Sequence, residues 1–169
     1  MVLKEVHKLA PENIAIKHIP IADVPMYNSD LYEKVLPEAI EKISTAIKTA
    51  DAVIIVTPEY NYSISGVLKN VIDFLSKHPA KPFDKKAVGI ISAGPSLLGG
   101  LRAKYHLRQI LLAINAMTMN VSEVVITEVN KKFDENGNLT EEKTKEFLKR
   151  FIVALADHSN IIRSEELIG

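Results

Sequence analysis

Asp51-Ala52-Val53-Ile54-Ile55-Val56-Thr57-Pro58-Glu59-Tyr60-Asn61-Tyr62-Ser63-Ile64-Ser65-Gly66 passes from an unbroken β-branched run, through a polar and aromatic loop, into a helical pattern. Val53 to Val56 reads as a strand buried on both faces, because a strand with one wet face alternates instead. It stops at Thr57-Pro58, since proline cannot donate to a central ladder. From Gly66 to Ser76 the apolar residues Leu68, Val71, Ile72 and Leu75 recur at helical spacing. Upstream, Pro37 suits a first helical residue. The helix behind it places Ile40, Ile43 and Ile47 on one face and Glu38, Glu41, Lys42 and Lys48 on the other. Helix, buried strand, loop and helix in that order form the repeating unit of an α/β layer fold.

The same alternation continues in both directions. His78-Pro79 and Lys81-Pro82 form a loop. Ala87 to Ser92 is a second buried strand, and Ala93 to Gly100 a glycine-bearing loop. Leu101 to Asn115 is a helix with Leu107, Ile110, Leu111 and Ile114 apolar, and Val121 to Thr127 is the last strand. Asn136-Gly137 signals a turn. Thr140 is placed to cap the final helix, with Glu141 and Glu142 in its first turn and Phe147, Phe151 and Leu155 as its buried stripe. Toward the N-terminus, Met1 to Leu9 has helical spacing at Val2, Val6 and Leu9, and Pro11 breaks it. Asn13 to Ile19 alternates like a short strand. Pro20 to Pro25 is a loop that Tyr27-Asn28-Ser29-Asp30 continues. The expected architecture is α/β, with a mostly parallel sheet and residues 1–169 as one domain. There is no internal repeat and no low-complexity segment.

Composition narrows the function classes. The 169 residues are 47% hydrophobic and 25% charged, which is globular and neither disordered nor coiled coil. Lys plus Arg and Asp plus Glu are both 21, so the formal net charge is zero and a general nucleic-acid footprint is lacking. Cysteine is absent, which excludes disulfides, thiolate metal sites and a cysteine nucleophile and permits a reducing cytoplasm. No apolar run reaches the ~18 residues of a membrane span, and Met1 to Ala10 carries charge throughout. His7, His18, His78, His106 and His158 are scattered, with no partner at metal-ligand spacing. Ser63 and Ser65 lack a nucleophile-elbow glycine pattern. Lys131-Lys132 reads as a solvated turn.

In open parallel sheets ligands bind beyond the carboxyl ends of the strands. Two such ends are informative here, Thr57 to Gly66 and Ser92-Ala93-Gly94-Pro95-Ser96-Leu97-Leu98-Gly99-Gly100. Both join aromatic or apolar surface to backbone amides and small polar side chains. A flat heteroaromatic ligand needs that combination, because its faces want apolar cover and its edge wants directed donors. The plainer reading is that both loops only turn the chain, with glycines 94, 99 and 100 permitting tight turns.

Thr57-Pro58-Glu59-Tyr60-Asn61 followed by Gly66-Val67-Leu68-Lys69-Asn70-Val71-Ile72-Asp73 resembles the signature of the NAD(P)H-dependent FMN reductases, a flavodoxin-like family that includes quinone, chromate and azo reductases. Gly99-Gly100-Leu101-Arg102, His106-Leu107-Arg108-Gln109-Ile110-Leu111 and Ala116-Met117-Thr118-Met119-Asn120 carry the same resemblance, which runs from Met1 to roughly His158. A dozen positions at fixed spacing make it far more specific than a lone glycine motif. It implies a flavodoxin-like fold, FMN as cofactor and NAD(P)H as co-substrate. Electrons would pass to a small-molecule acceptor such as a quinone, azo dye, free flavin or metal oxyanion, with no side chain acting as acid or base.

By the same resemblance, Pro58, Glu59, Tyr60 and Asn61 match the loop that holds the flavin ring, with backbone amides on its polar edge. Ser92 and Gly94 match the start of the second flavin loop, and Gly99 and Gly100 its turn into the next helix. Lys69, Asn70 and Asp73 look structural. Homodimers or homotetramers are implied, with Arg102, Tyr105 and Glu123 matching positions that cluster at subunit contacts. Two residues depart from the pattern: Tyr62 stands where the family often has glycine, and Ser65 where it often has proline. The family also opens with a strand and a serine-rich, arginine-bearing loop around the FMN phosphate, whereas this chain opens within what resembles the first helix. The expected sheet therefore lacks the strand between Asn13–Ile19 and Val53–Val56. A flavin-free interaction or assembly protein and a flavodoxin-like electron carrier are the rival readings; the neutral net charge weighs against the carrier.

Overall fold

The computed structural model describes residues 1–32, 35–121 and 123–166. In chain order the elements are α1 (Val2–Leu9), α2 (Ser29–Tyr32), α3 (Glu38–Thr49), β1 (Ala52–Thr57), α4 (Gly66–Lys77), β2 (Ala87–Ala93), α5 (Leu101–Ala113), β3 (Met117–Thr118), β4 (Val124–Ile126), α6 (Val129–Lys132) and α7 (Glu142–Glu166). All strand pairs are parallel. β1 lies along β2 from Ala52↔Ala87 to Thr57↔Ser92. On its other side β2 pairs with β3 at Ala87↔Met117 and with β4 at Ile91↔Val124. β3 and β4 thus form one interrupted strand. The expected Val121–Thr127 strand is shorter than its apolar pattern, and Ser122 within it lies outside the described residues. Arg108 fastens the interruption, donating to Thr118 Oγ1 at 3.0 Å and to the Met119 carbonyl at 2.7 Å.

Alternation along β2 divides the interior into two layers. Val88 and Ile90 pack with Ile40, Ile43 and Ile47 of α3, Val71, Phe74 and Leu75 of α4, and Leu107 and Leu111 of α5. Ala87 and Ile91 pack with Val6 of α1 and Leu148, Phe151, Ile152 and Leu155 of α7. A Cβ on Gly89 would meet the Phe151 ring at 2.5 Å, so glycine there lets α7 seat against the central strand.

Several expectations need correction. β1 packs on both faces, Val53 and Ile55 toward the α3–α4–α5 layer and Ala52, Ile54 and Val56 toward the α1–α7 layer, but only Ile55 and Thr57 are fully buried, because its second edge has no ladder partner among the described residues. Asn13–Ile19 is not a strand. Ile14 and Ile16 do turn toward the α1–α7 layer, but among the described residues the segment has no ladder partner, and alternation without a ladder leaves extended coil. Pro37 precedes α3 as its cap residue instead of starting the helix. α5 ends at Ala113, where Asn115 takes a positive φ of 58°. Ser29 and Asp30 open a short helix, with Asp30 N–H donating to Asn28 Oδ1 at 3.0 Å.

Thr140 does not cap α7, since its hydroxyl donates to the Lys132 carbonyl at 3.0 Å. Phe147 is exposed beneath Arg150 and Lys143; the buried stripe runs through Leu148, Phe151, Ile152 and Leu155. Lys131 and Lys132 lie in α6 and pair with Glu128 and Glu141. Lys69 and Asp73 form the expected exposed pair at 2.6 Å. Asn70 is buried, donating to the Pro25 carbonyl and accepting from Tyr27 N–H, each at 2.8 Å, so it pins the loop before α2.

Candidate functional site

Thr57 and Ser92 are paired neighbours at the carboxyl ends of adjacent strands, so the loops leaving β1 and β2 start side by side. The first loop closes on itself. Tyr60 N–H donates to Ser63 O at 2.9 Å, and Ser63 N–H to Tyr60 O at 3.0 Å. The central residues Asn61 and Tyr62 have φ of 50° and 65°. That is a type I′ turn, which needs both central residues left-handed. Asparagine accepts that conformation readily and tyrosine does not, so position 62 is one where glycine, as the family resemblance implies, would sit without strain.

Glu59, just before the turn, reaches α5. Its Oε2 accepts the N–H groups of Arg102 at 3.0 Å and Ala103 at 3.3 Å, while Oε1 accepts Arg102 Nη1 at 3.2 Å. A carboxylate thus occupies the positive end of α5, beyond Gly100, whose φ is 83°. Arg102 lies 4.3 Å over the Tyr62 ring. After the turn, Ser63 Oγ lies 2.8 Å from His106 Nδ1, and the Ser65 hydroxyl caps α4 by accepting Leu68 N–H at 3.3 Å.

The second loop is tied to the segment after β4. Gly94 N–H donates to Ile126 O, Val129 N–H to Gly94 O and Glu128 N–H to Ser96 O, each at 3.1 Å. Gly99 has φ of 53°, and a Cβ there would stand 2.8 Å from the Ile126 carbonyl, so only glycine lets the loop lie this close. Behind this loop Lys104 is 2% exposed, with Nζ 3.5 Å from Glu123. Burial holds its ammonium below the usual lysine range, and the Glu123 charge opposes that shift.

The expected site residues therefore sort by exposure. Tyr60 and Asn61 face solvent, Pro58 and Glu59 are half-buried, and Ser92, Gly94, Gly99 and Gly100 are buried frame beneath the loops. Glu59 spends its carboxylate on α5. The Ser92 hydroxyl is the one buried side-chain polar atom without a partner among the described residues. Ser96 and Leu97, within the second expected loop, form its exposed crest, while the Arg102–Tyr62 stack and the Ser63–His106 bond have no signal in the sequence. No periodicity marks those pairs, which are brought together only by the loop crossing α5. Arg102, Tyr105 and Glu123 do not meet within the chain: Arg102 pairs with Glu59, and Glu123 with Lys104 and Arg108.

The surface suits a flat heteroaromatic group. Among the described residues, the backbone N–H groups of Glu59, Asn61 and Tyr62, and of Ser96, Leu97 and Gly100, make no hydrogen bond. These are donors for a polar edge. Tyr60, Tyr62 and Leu97 supply exposed aromatic and apolar cover. A separate depression of about 580 Å³ lies at the far ends of α4 and α5, floored by Ile72, Phe83 and Ile110. No three His, Asp or Glu side chains converge as a metal site among the described residues.

The family of NADPH-dependent FMN reductases matches residues 1–131. An NAD(P)H-dependent FMN reductase of Pseudomonas aeruginosa is 39% identical over 153 residues, 90% of this chain and 83% of its own length. A quinone reductase of Escherichia coli K12 is 39% identical over 160 residues, 93% of this chain and 85% of its own. Among solved structures, FerB, a flavoenzyme NAD(P)H:(acceptor) oxidoreductase from Paracoccus denitrificans, aligns with a TM-score of 0.84 at 31% identity, covering 94% of this chain and 87% of that one.

Proposed function

The chain belongs to the NADPH-dependent FMN reductase family, and we propose that it is an FMN-dependent oxidoreductase passing electrons from NAD(P)H to a small-molecule acceptor. The observation that carries this reading is the pair of adjoining loops, Pro58–Tyr62 and Gly94–Gly100, whose unpartnered amides and exposed aromatic surface match the edge and face of a flavin ring. When bound, FMN supplies the capacity to take a hydride from the nicotinamide and hand electrons on. The chain's share is placement. Glu59, Asn61 and Tyr62 offer N–H donors from one side, Ser96, Leu97 and Gly100 from the other, and Tyr60 shields the ring. Ser92 and Gly94 frame the floor, and Gly99 and Gly100 let the second loop lie close to β4.

Several similar proteins are named quinone reductases, so quinones are the first acceptor class to test, with azo dyes, free flavin and metal oxyanions as further acceptors. We read the chain as a single cytoplasmic domain that binds neither nucleic acid nor membrane. The exposed α5 face, with Tyr105 and Leu112, supports assembly into homodimers or homotetramers, so light scattering at micromolar concentration should show more than a monomer. The main test is direct. Purified protein mixed with FMN should show flavin bands shifted from free FMN and should oxidise NADH or NADPH when a quinone is added. Flavin binding without turnover would leave a carrier, and no flavin binding would leave an interaction protein.

A further inference from the structure

We propose that His106 is a positioning residue for the loop after β1, acting through Ser63 at the end of the turn, with Glu59, the residue just before the turn, as its counterpart. The proposal rests on the reading that this loop holds the flavin ring. Both tethers run to the same helix. Glu59 accepts Arg102 N–H at 3.0 Å, and Ser63 Oγ meets His106 Nδ1 at 2.8 Å. Arg102 and His106 are one turn of α5 apart, about 6 Å along its axis. The ends of a four-residue turn lie within about 7 Å of one another. One face of α5 therefore fastens the chain on both sides of the turn's exposed tip.

The turn needs holding. Tyr60, Asn61 and Tyr62 are exposed, so core packing does not fix them. Tyr62 sits at φ 65°, a region tyrosine leaves when free to do so. The unpartnered N–H groups of Asn61 and Tyr62 point correctly only while both ends stay fixed. The Tyr60–Ser63 bonds close the turn but do not place it on the molecule; Glu59 and Ser63, with Arg102 stacked over the Tyr62 ring, tie it to α5. His106 is exposed and Nδ1 is its bonded atom, so its task is to hold Ser63 in place.

The test uses the full chain with His106→Ala, Ser63→Ala, the double variant and His106→Asn, whose side-chain amide can stand near Nδ1. FMN affinity is read by fluorescence quenching, and protection of the Tyr60 and Ser63 amides by hydrogen exchange without flavin. Each alanine variant should raise the FMN dissociation constant about three- to tenfold, the range of one lost hydrogen bond. The double variant should be no worse than either single, since all three lack the same bond. His106→Asn should recover most of the affinity, and protection of Tyr60 and Ser63 should fall in His106→Ala. Wild-type affinity and protection in the single variants, or effects that multiply in the double, would overturn the proposal. If the wild type takes up no FMN, the flavin reading fails, while the exchange data still decide whether His106 holds the turn.

Discussion

Gly99 shows how tightly a single position can be determined. Its φ is 53°, and the space where a Cβ would stand is filled by the backbone of Ile126, 2.8 Å away. That backbone cannot retreat cheaply, because the Ile126 carbonyl accepts Gly94 N–H at 3.1 Å and so holds the start of the same loop. Gly99→Ala should cost about 2–3 kcal/mol through combined strain and overpacking, measured as a lower urea midpoint at unchanged m-value. A loss below about 0.5 kcal/mol would mean the loop has slack. Lys104 makes the opposite case. Burial holds its folded-state value below the ordinary one, so between the two the unfolded chain carries a proton that the folded chain has released. Stability must then rise with pH across that alkaline window. Lys104→Met should abolish the rise and leave the protein about 1 kcal/mol more stable at neutral pH, since Glu123 keeps Arg108 at 3.7 Å. Denaturation midpoints at pH 7 and 10 decide it, and a destabilised variant at pH 7 would show that Nζ contributes more than it costs.

At the level of elements, Ser65 explains its own departure from the family pattern. Its φ is −64° and its hydroxyl caps α4, while its own N–H makes no hydrogen bond among the described residues. Proline fits that φ and sacrifices no donor. Ser65→Ala should cost about 1 kcal/mol for the lost cap. Ser65→Pro should cost less, because restricting the unfolded chain returns about 0.4–1 kcal/mol; equal losses in chemical denaturation would refute the comparison. The helices were legible because their apolar spacing reports burial directly: Ile40, Ile43 and Ile47 are all covered. The strands were legible as strands but not by position. Val53 to Val56 has the same β-branched run at a sheet edge as it would have at the centre, since residue type does not count hydrogen-bonded neighbours. Ile14 and Ile16 alternate as a strand does, and only the ladder is missing. Phe147 misled because an aromatic at helical spacing suggests core, whereas Arg150 covers it 4.9 Å away at the surface. Of the site, the two loops could be read from their place after buried strands. The tethers to α5 could not, because Glu59 and Ser63 lie 43 residues from their partners in sequence.

For the whole molecule, the site's position predicts how a ligand couples to stability. The first loop leaves β1 and is fastened to α5 by Glu59, while the second leaves β2 and is fastened to the end of β4 by Gly94. A group bridging the loops therefore touches, at one remove, β1, β2 and β4 and the helix α5 packed beside them. Such a ligand binds the folded chain and has nothing to hold in the unfolded one, so it should stabilise the global transition and not merely quiet the loops. At a free concentration one hundred times its dissociation constant the gain is about 2.7 kcal/mol, which for a domain of this size raises the melting temperature by roughly 5–10 °C. FMN should produce that shift. FAD, matched in free concentration, should produce less, because the family resemblance implies a mononucleotide site. Scanning calorimetry with each flavin tests the point, with bound flavin identified after denaturation. A larger shift with FAD, with FAD released in stoichiometric amount, would overturn the cofactor assignment. A shift in hydrogen-exchange protection confined to residues 58–66 and 94–100, with no change in melting temperature, would show instead that the loops bind the flavin but do not transmit its binding to the sheet.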